Sequence, residues 1–162
     1  KDSVELTREY AWHGSSKTRP DDIAAGPGFM MQYVNAGGFY QQGTYSAHQA
    51  SYSHHERYVY RSSDIEGLLP DGAGRYFHLL LVNVLRGNPL QTTEVWKGED
   101  FGAVQDKLGQ DFDSVEGGPH RPILSGPHPA QARGSDDSLI YVTYHPSQCL
   151  PEFIITYTEN DS

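Results

Sequence analysis

The sequence predicts a strand-dominated α+β domain with small helices near its N-terminus. Three observations carry that expectation. Residues 139–144 and 152–158 alternate with a period of two, as half-buried strands do. Residues 76–85 form a strand-length run that is almost wholly apolar, and the helix-compatible stretches lie before residue 59. A chain of 162 residues is one ordinary domain, long enough to bury roughly two-thirds of its unfolded surface.

Taken in order, Tyr10-Ala11-Trp12 reads as a short strand that stops at His13-Gly14-Ser15-Ser16. Pro20-Asp21-Asp22 opens a helix of one or two turns through Ile23-Ala24-Ala25, and Gly26-Pro27-Gly28 ends it. Residues 34–44, rich in Gly, Asn and Gln, read as a mobile loop. Residues 46–58 lack Gly and Pro and fit a helix with Ala47, Ala50 and His54 on one side. Residues 62–74 read as loop, and Arg86-Gly87-Asn88-Pro89 closes the central strand. Residues 97–138, dense in Gly and Pro, read as one long irregular stretch. Of the two final strands, the first sets Leu139, Tyr141 and Thr143 opposite Ile140, Val142 and Tyr144. The linker His145-Pro146-Ser147-Gln148 is long enough to return the second beside it.

Charge narrows the function classes. Twelve Lys and Arg against 21 Asp and Glu give -9, and the mean hydropathy is -0.62. Residues 1–58 are nearly neutral at -1, residues 59–134 carry -3 and residues 135–162 carry -5. Capture of a long phosphate backbone is not expected from such a surface. No apolar run approaches the ~18 residues of a membrane-spanning helix. One cysteine, Cys149, leaves no internal disulfide and is compatible with an intracellular compartment, cytoplasmic or nuclear. Opening at Lys1 without a charged-then-apolar leader, the chain reads as a monomeric domain of a larger protein.

Three places stand out chemically, each with a plainer alternative. His13-Gly14-Ser15 is either a simple turn or a point where backbone and imidazole approach a ligand closely. Gly43-Thr44-Tyr45-Ser46-Ala47, with Tyr52-Ser53 and Tyr58, either packs a small helix or sandwiches a flat heterocycle. Glu152, within Pro151-Glu152-Phe153-Ile154-Ile155, is a solvated edge charge or a base; an undistorted strand sets it on the face of Ile154, about 7 Å away. The adjacent His54 and His55 diverge by about 100° on a helix, and His120 and His128 lack carboxylate or thiolate partners at ligand spacing, so no metal is expected.

Together and in this order, these residues resemble the catalytic domain of the poly(ADP-ribose) polymerase family, the diphtheria-toxin-like clade of ADP-ribosyltransferases. Trp12-His13-Gly14-Ser15 resembles the first motif, and Pro20 to Gly28-Phe29 the helix after it. Gly43-Thr44-Tyr45-Ser46-Ala47, Tyr52-Ser53 and Tyr58 resemble the second. Tyr76 to Gly87 resembles the central strand, Phe112-Asp113-Ser114-Val115 the Asp-Ser-Val step, and Glu152-Phe153-Ile154-Ile155-Thr156-Tyr157 the final strand. The resemblance covers roughly residues 10–158 of a single domain spanning 1–162. Ser46 stands where the family usually has Phe, and Met31 where many mono-transferring members have Arg.

The resemblance implies an ADP-ribosyltransferase fold: two packed, mainly antiparallel sheets with small helices around an NAD cleft. It implies that His13 bonds a ribose hydroxyl of NAD, and that Gly14, within the motif that includes Ser15, holds the nicotinamide carboxamide through its backbone. Ser53 would bond the same carboxamide, while Tyr45 and Tyr58 flank the ring. The triad reads His13-Tyr45-Ile154, with isoleucine where chain-elongating members have glutamate. Isoleucine neither accepts a hydrogen bond nor activates an incoming hydroxyl, so the expectation is single transfer. The acceptor would be a protein side chain or a nucleic-acid terminal phosphate. A silent interaction or NAD-sensing module and an NAD glycohydrolase are the alternatives.

Overall fold

The computed structural model describes residues 7–29, 38–62, 76–121 and 137–158. Its elements in chain order are β1 (Arg8–His13), α1 (Pro20–Ala25), β2 (Thr44–Ala47), α2 (Ala50–Ser53), β3 (Tyr60–Ser62), β4 (Tyr76–Leu85), β5 (Pro89–Thr92), α3 (Phe101–Leu108), β6 (Ser114–His120), β7 (Ser138–Thr143) and β8 (Cys149–Thr158). The α+β class with mostly strands holds. α1 starts as the sequence indicates, with Pro20 in its first turn and Asp21 and Asp22 at its positive end.

The strands follow one hydrogen-bonded path, β3-β4-β1-β2-β7-β6-β5, with β8 on the other edge of β4. β3 registers with Tyr76, Phe77 and His78, and β1 with Leu80 to Leu85, so these two share one edge of β4 end to end. Every pairing is antiparallel except β5 with β6, which α3 connects. The expected two sheets are thus one path, but its halves meet at a single residue pair, Trp12 opposite Ala47. One half is β3, β8, β4 and β1; the other is β2, β7, β6 and β5.

The burial of side chains shows how the halves face each other. Ala11, Leu80, Val82 and Val84 from β1 and β4 form one buried cluster with Tyr141 of β7, Phe29 and Cys149. That shared cluster lies between the two halves, so we call this the inner face. On the outer face of the second half, Ala47, Val115, Ile140 and Val142 pack with Tyr40, Trp96 and Val104 of α3. Val59, Phe77 and Leu79 make a smaller cluster outside the first half. β7 has both faces buried, Tyr141 inward and Ile140 and Val142 outward. Burial also pushes the Cys149 thiol up to about 12, which keeps it protonated.

Four expectations change. The helix expected over 46–58 is a strand plus a four-residue turn of helix, because Thr44, Tyr45, Ser46 and Ala47 each pair with β7. Partner-strand hydrogen bonds outweigh the local helical propensity. The irregular stretch 97–138 holds α3 and β6. Asp100 Oδ1 caps α3 by accepting from the Ala103 N–H at 2.8 Å, and Gly109, at φ +58°, ends it. The chain after β7 does not return beside it. A 3-10 turn at Pro146–Gln148 carries β8 across to β4. Finally, the part of the 34–44 loop that is described is packed, with Tyr40, Gln41 and Gly43 all buried.

Residues 30–37, with Met31, and most of the loop expected over 62–74 lie outside the described residues. β3 and β5 escaped the sequence reading because each is short and β5 opens on a proline, tolerated at the end of the path. Gly87 shows why the Val-Leu-Arg-Gly and Asp-Ser-Val segments occur together. It sits at φ +60°, a side chain there would run into Asp113, and Asp113 Oδ2 accepts from the Asn88 N–H at 2.8 Å.

Candidate active site

β1 stops where Gly14 crosses Tyr58. A Cβ on Gly14 would collide with the Tyr58 carbonyl and Cβ, so no other residue lets the two backbones touch. Two residues on, the Ser16 N–H donates to the Tyr58 carbonyl at 2.7 Å and fixes the crossing. The Ser15 hydroxyl donates to the Thr18 carbonyl at 2.7 Å, so it closes the turn.

His13 bridges the two halves of the sheet. Its Nδ1 lies 2.6 Å from the Tyr45 carbonyl oxygen, which can only accept, so Nδ1 carries the proton and donates. Burial holds the imidazole pKa below its ordinary value, against an upward pull from that carbonyl. The ring is therefore neutral at pH 7, and Nε2 presents a lone pair. Phe29 packs edge-on against it, with centroids 4.6 Å apart.

Hydrogen bonds and close backbone contacts bring the other aligned residues to the same corner, but Tyr45, opposite Val142, turns its ring to the outer side, where Tyr58 packs in the same cluster. Ser53, buried on α2, donates its hydroxyl to the Trp12 carbonyl at 2.8 Å and keeps its oxygen lone pairs as acceptors. Tyr45 donates to the Gln41 carbonyl at 2.7 Å and accepts from the Tyr40 N–H at 2.8 Å. Its hydroxyl is committed to the loop, so what it offers a ligand is ring surface. Tyr58 stacks on Tyr52 at 5.6 Å and 14°, which sets the plane of its ring.

Ile154 lies in the same cross-strand row as His13: His13 is opposite Leu80, and Leu80 is opposite Ile154. Directly opposed residues share a face, so both point to the inner side, about 10 Å apart at their Cα atoms. Glu152 does not join them, contrary to the period-two expectation. The register of β8 shifts between Leu81 and Val82, and this irregularity turns Glu152 to the outer face. There its carboxylate accepts from the Tyr10 hydroxyl and from the Asn83 amide, each at 2.8 Å.

Sequence reasoning missed the support beneath Tyr45. Tyr40 is fully buried; its carbonyl accepts from the Tyr144 hydroxyl at 2.9 Å, and its own hydroxyl shares a hydrogen bond with His120. The aromatic pair Phe39-Tyr40 inside a Gly-rich stretch was the available signal. His54 bonds the Tyr157 hydroxyl at 2.6 Å. Among the described residues no group of three or more His, Cys, Asp or Glu is placed to hold a metal ion, and no helix is long and apolar enough to cross a membrane. No protein-family model matches this chain, and no curated protein matches it.

Proposed function

We propose that the domain has the ADP-ribosyltransferase fold and acts as a mono-ADP-ribosyltransferase on NAD, within the poly(ADP-ribose) polymerase family it resembles. The observation that carries this reading is the His13–Tyr45 bond, which leaves a neutral imidazole with Nε2 free to accept from a ribose hydroxyl. Ser53 supports it, because its oxygen can accept from a carboxamide N–H while donating to Trp12. Gly14 brings backbone to the same corner, and the rings of Tyr45 and Tyr58, on the outer side of the β1–β2 junction, would supply flat apolar surface to a nicotinamide that reaches across it.

These residues would hold the nicotinamide riboside so that its C1′–N bond breaks with nicotinamide leaving neutral. Orientation and exclusion of water lower that barrier without a base. The acceptor's lone pair then closes on C1′ and its proton goes to solvent. Ile154, on the inner face beside Leu80, cannot take a proton from an ADP-ribose hydroxyl, so the product is a single unit. A carboxylate acceptor, already ionised, needs no base.

Incubation of the domain with labelled NAD, alone and with a lysate, tests the reading. Label on protein supports transfer. Free ADP-ribose with no labelled acceptor favours a glycohydrolase, and no turnover favours a silent binding module. His13→Ala is expected to lower nicotinamide release about 10- to 100-fold, the worth of one desolvated hydrogen bond. Unchanged release in both His13→Ala and Tyr45→Ala would refute the site, and long polymers would refute the role given to Ile154.

A further inference from the structure

Among the described residues, the outer face of β1, β4 and β8 carries four of the five large hydrophobic side chains that stand exposed. Tyr10, Leu150 and Phe153 are more than half exposed, at 55%, 53% and 56%, and Ile155 is exposed beside them. Register places them together: Tyr10 is opposite Asn83, Asn83 opposite Leu150, Leu81 opposite Phe153 and Leu79 opposite Ile155. A contiguous apolar patch of this kind marks an interaction surface.

Two charges of opposite sign sit in it. The register shift of β8 delivers Glu152 here, and Tyr10 and Asn83 each hold one of its oxygens. Those two donors keep its carboxyl below the usual range, so it is ionised and fixed. Arg8, two residues before Tyr10 on β1, projects from the same face and is exposed. Among the described residues it forms no ion pair. The patch is therefore locally neutral, whereas the chain as a whole carries -9, a net charge that opposes association of its copies.

A face bearing one cation and one anion is complementary to itself. A two-fold axis between them brings each Arg8 against the other copy's Glu152, giving two equivalent contacts around a centre formed by Tyr10, Asn83 and Leu150. We propose that this outer face of β1, β4 and β8 joins two copies of the chain through reciprocal Arg8–Glu152 pairs. This departs from the sequence expectation of a monomeric domain and stands independently of the proposed activity.

Sedimentation equilibrium of the chain from about 1 to about 200 µM covers the range expected of a small, partly polar interface. The mass should rise with concentration from 18.1 kDa toward twice that value. Phe153→Ser, Arg8→Glu and Glu152→Arg should each weaken association at least ~10-fold. The double variant Arg8→Glu/Glu152→Arg should return to within about threefold of the parent, because the swapped charges again meet opposite partners. Circular dichroism and thermal unfolding check that each variant is folded. A constant monomer mass overturns the proposal and leaves the face to a different protein. A dimer indifferent to the single changes, or one the double swap fails to restore, overturns it as well.

Discussion

The two halves of the sheet share one backbone pair at Trp12 and Ala47, and they are fastened on either side of it in opposite ways. At the His13 end the bonds are neutral: imidazole to the Tyr45 carbonyl, and the Ser53 hydroxyl to the Trp12 carbonyl. At the far end they are ionic. Arg86, just after β4, pairs with Glu9 of β1 at 2.9 Å and with Glu116 of β6, and it lies over the Tyr141 ring at 5.0 Å. Tyr141 of β7 in turn donates to Glu9 at 2.8 Å. A largely buried charge must be answered by its neighbours, so the ionic end spends its charges on one another, with the buried Arg86 Nε left unpartnered. A neutral donor keeps a lone pair after donating, so the neutral end can hold the fold and a ligand at once. The chain therefore separates what braces the sheet from what can bind.

The strongest way to break this contrast is at Arg86. Arg86→Met leaves Glu9 and Glu116 close together without their cation, and the cost should be about 3–5 kcal/mol of stability. Urea unfolding reads it directly. A loss below about 1 kcal/mol would mean that the inner apolar cluster, and not the ion pairs, holds the two halves together. Adding Glu9→Gln and Glu116→Gln to Arg86→Met should recover part of the loss by removing the uncompensated carboxylates.

Gly14→Ala is the next largest, and it strikes the neutral end. The new Cβ collides with Tyr58, so β1 must shift away from it at about 1–3 kcal/mol. The same shift should lower nicotinamide release even where the protein stays folded, since Tyr58 and the Gly14 backbone face the same corner. Thermal unfolding and turnover measured on one sample separate the two effects. Equal stability with full turnover would place the site elsewhere.

What the sequence made legible follows the same division. β1, α1, β4 and β7 were readable because each pairs a clear apolar pattern with a sharp stop, such as Gly14 or Gly87. The candidate site residues were singled out because one motif order links His13, Gly14, Tyr45, Ser53, Tyr58 and Ile154. β2 was hidden because Thr44 to Ala47 takes its extended form from β7, nearly a hundred residues later. β6 was hidden because Glu116-Gly117-Gly118-Pro119 has strand geometry without strand composition; Gly117 is there to admit the Tyr40 ring. The ionic brace was invisible, since nothing local connects Glu9, Arg86 and Glu116. Glu152 was misplaced for a similar reason: a shift in register leaves no mark on the alternation it interrupts.

Acid tests the neutral end more gently. Burial lowers the His13 pKa, so between the ordinary value of 6.5 and its folded value the unfolded chain binds a proton that the native chain does not. Stability is fully present above 6.5 and falls as pH drops through that window, by at most about 1.4 kcal/mol per pH unit for each such histidine. His78 and His120 are shifted down as well, by burial, and they share the window. Turnover should fall with an acid limb whose midpoint lies below 6.5, because protonation turns Nε2 from an acceptor into a donor. His78→Asn and His120→Asn should move the stability curve while leaving that limb in place. If the limb moves with them, His13 is not the group that sets it.

The smallest effect is expected at Glu152, and its smallness is informative. If Glu152 served the inner face, as an undistorted strand would have it, Glu152→Gln would remove a base and lower turnover by orders of magnitude. On the outer face it only exchanges an ionic acceptor for a neutral one opposite Tyr10 and Asn83. Nicotinamide release per chain, measured at a concentration low enough to keep the chain monomeric, should stay within about twofold of the parent. The Tyr10 phenol should titrate at lower pH, because the carboxylate that holds its proton is gone. A large loss of turnover with an unchanged Tyr10 titration would return Glu152 to the inner face, beside Ile154.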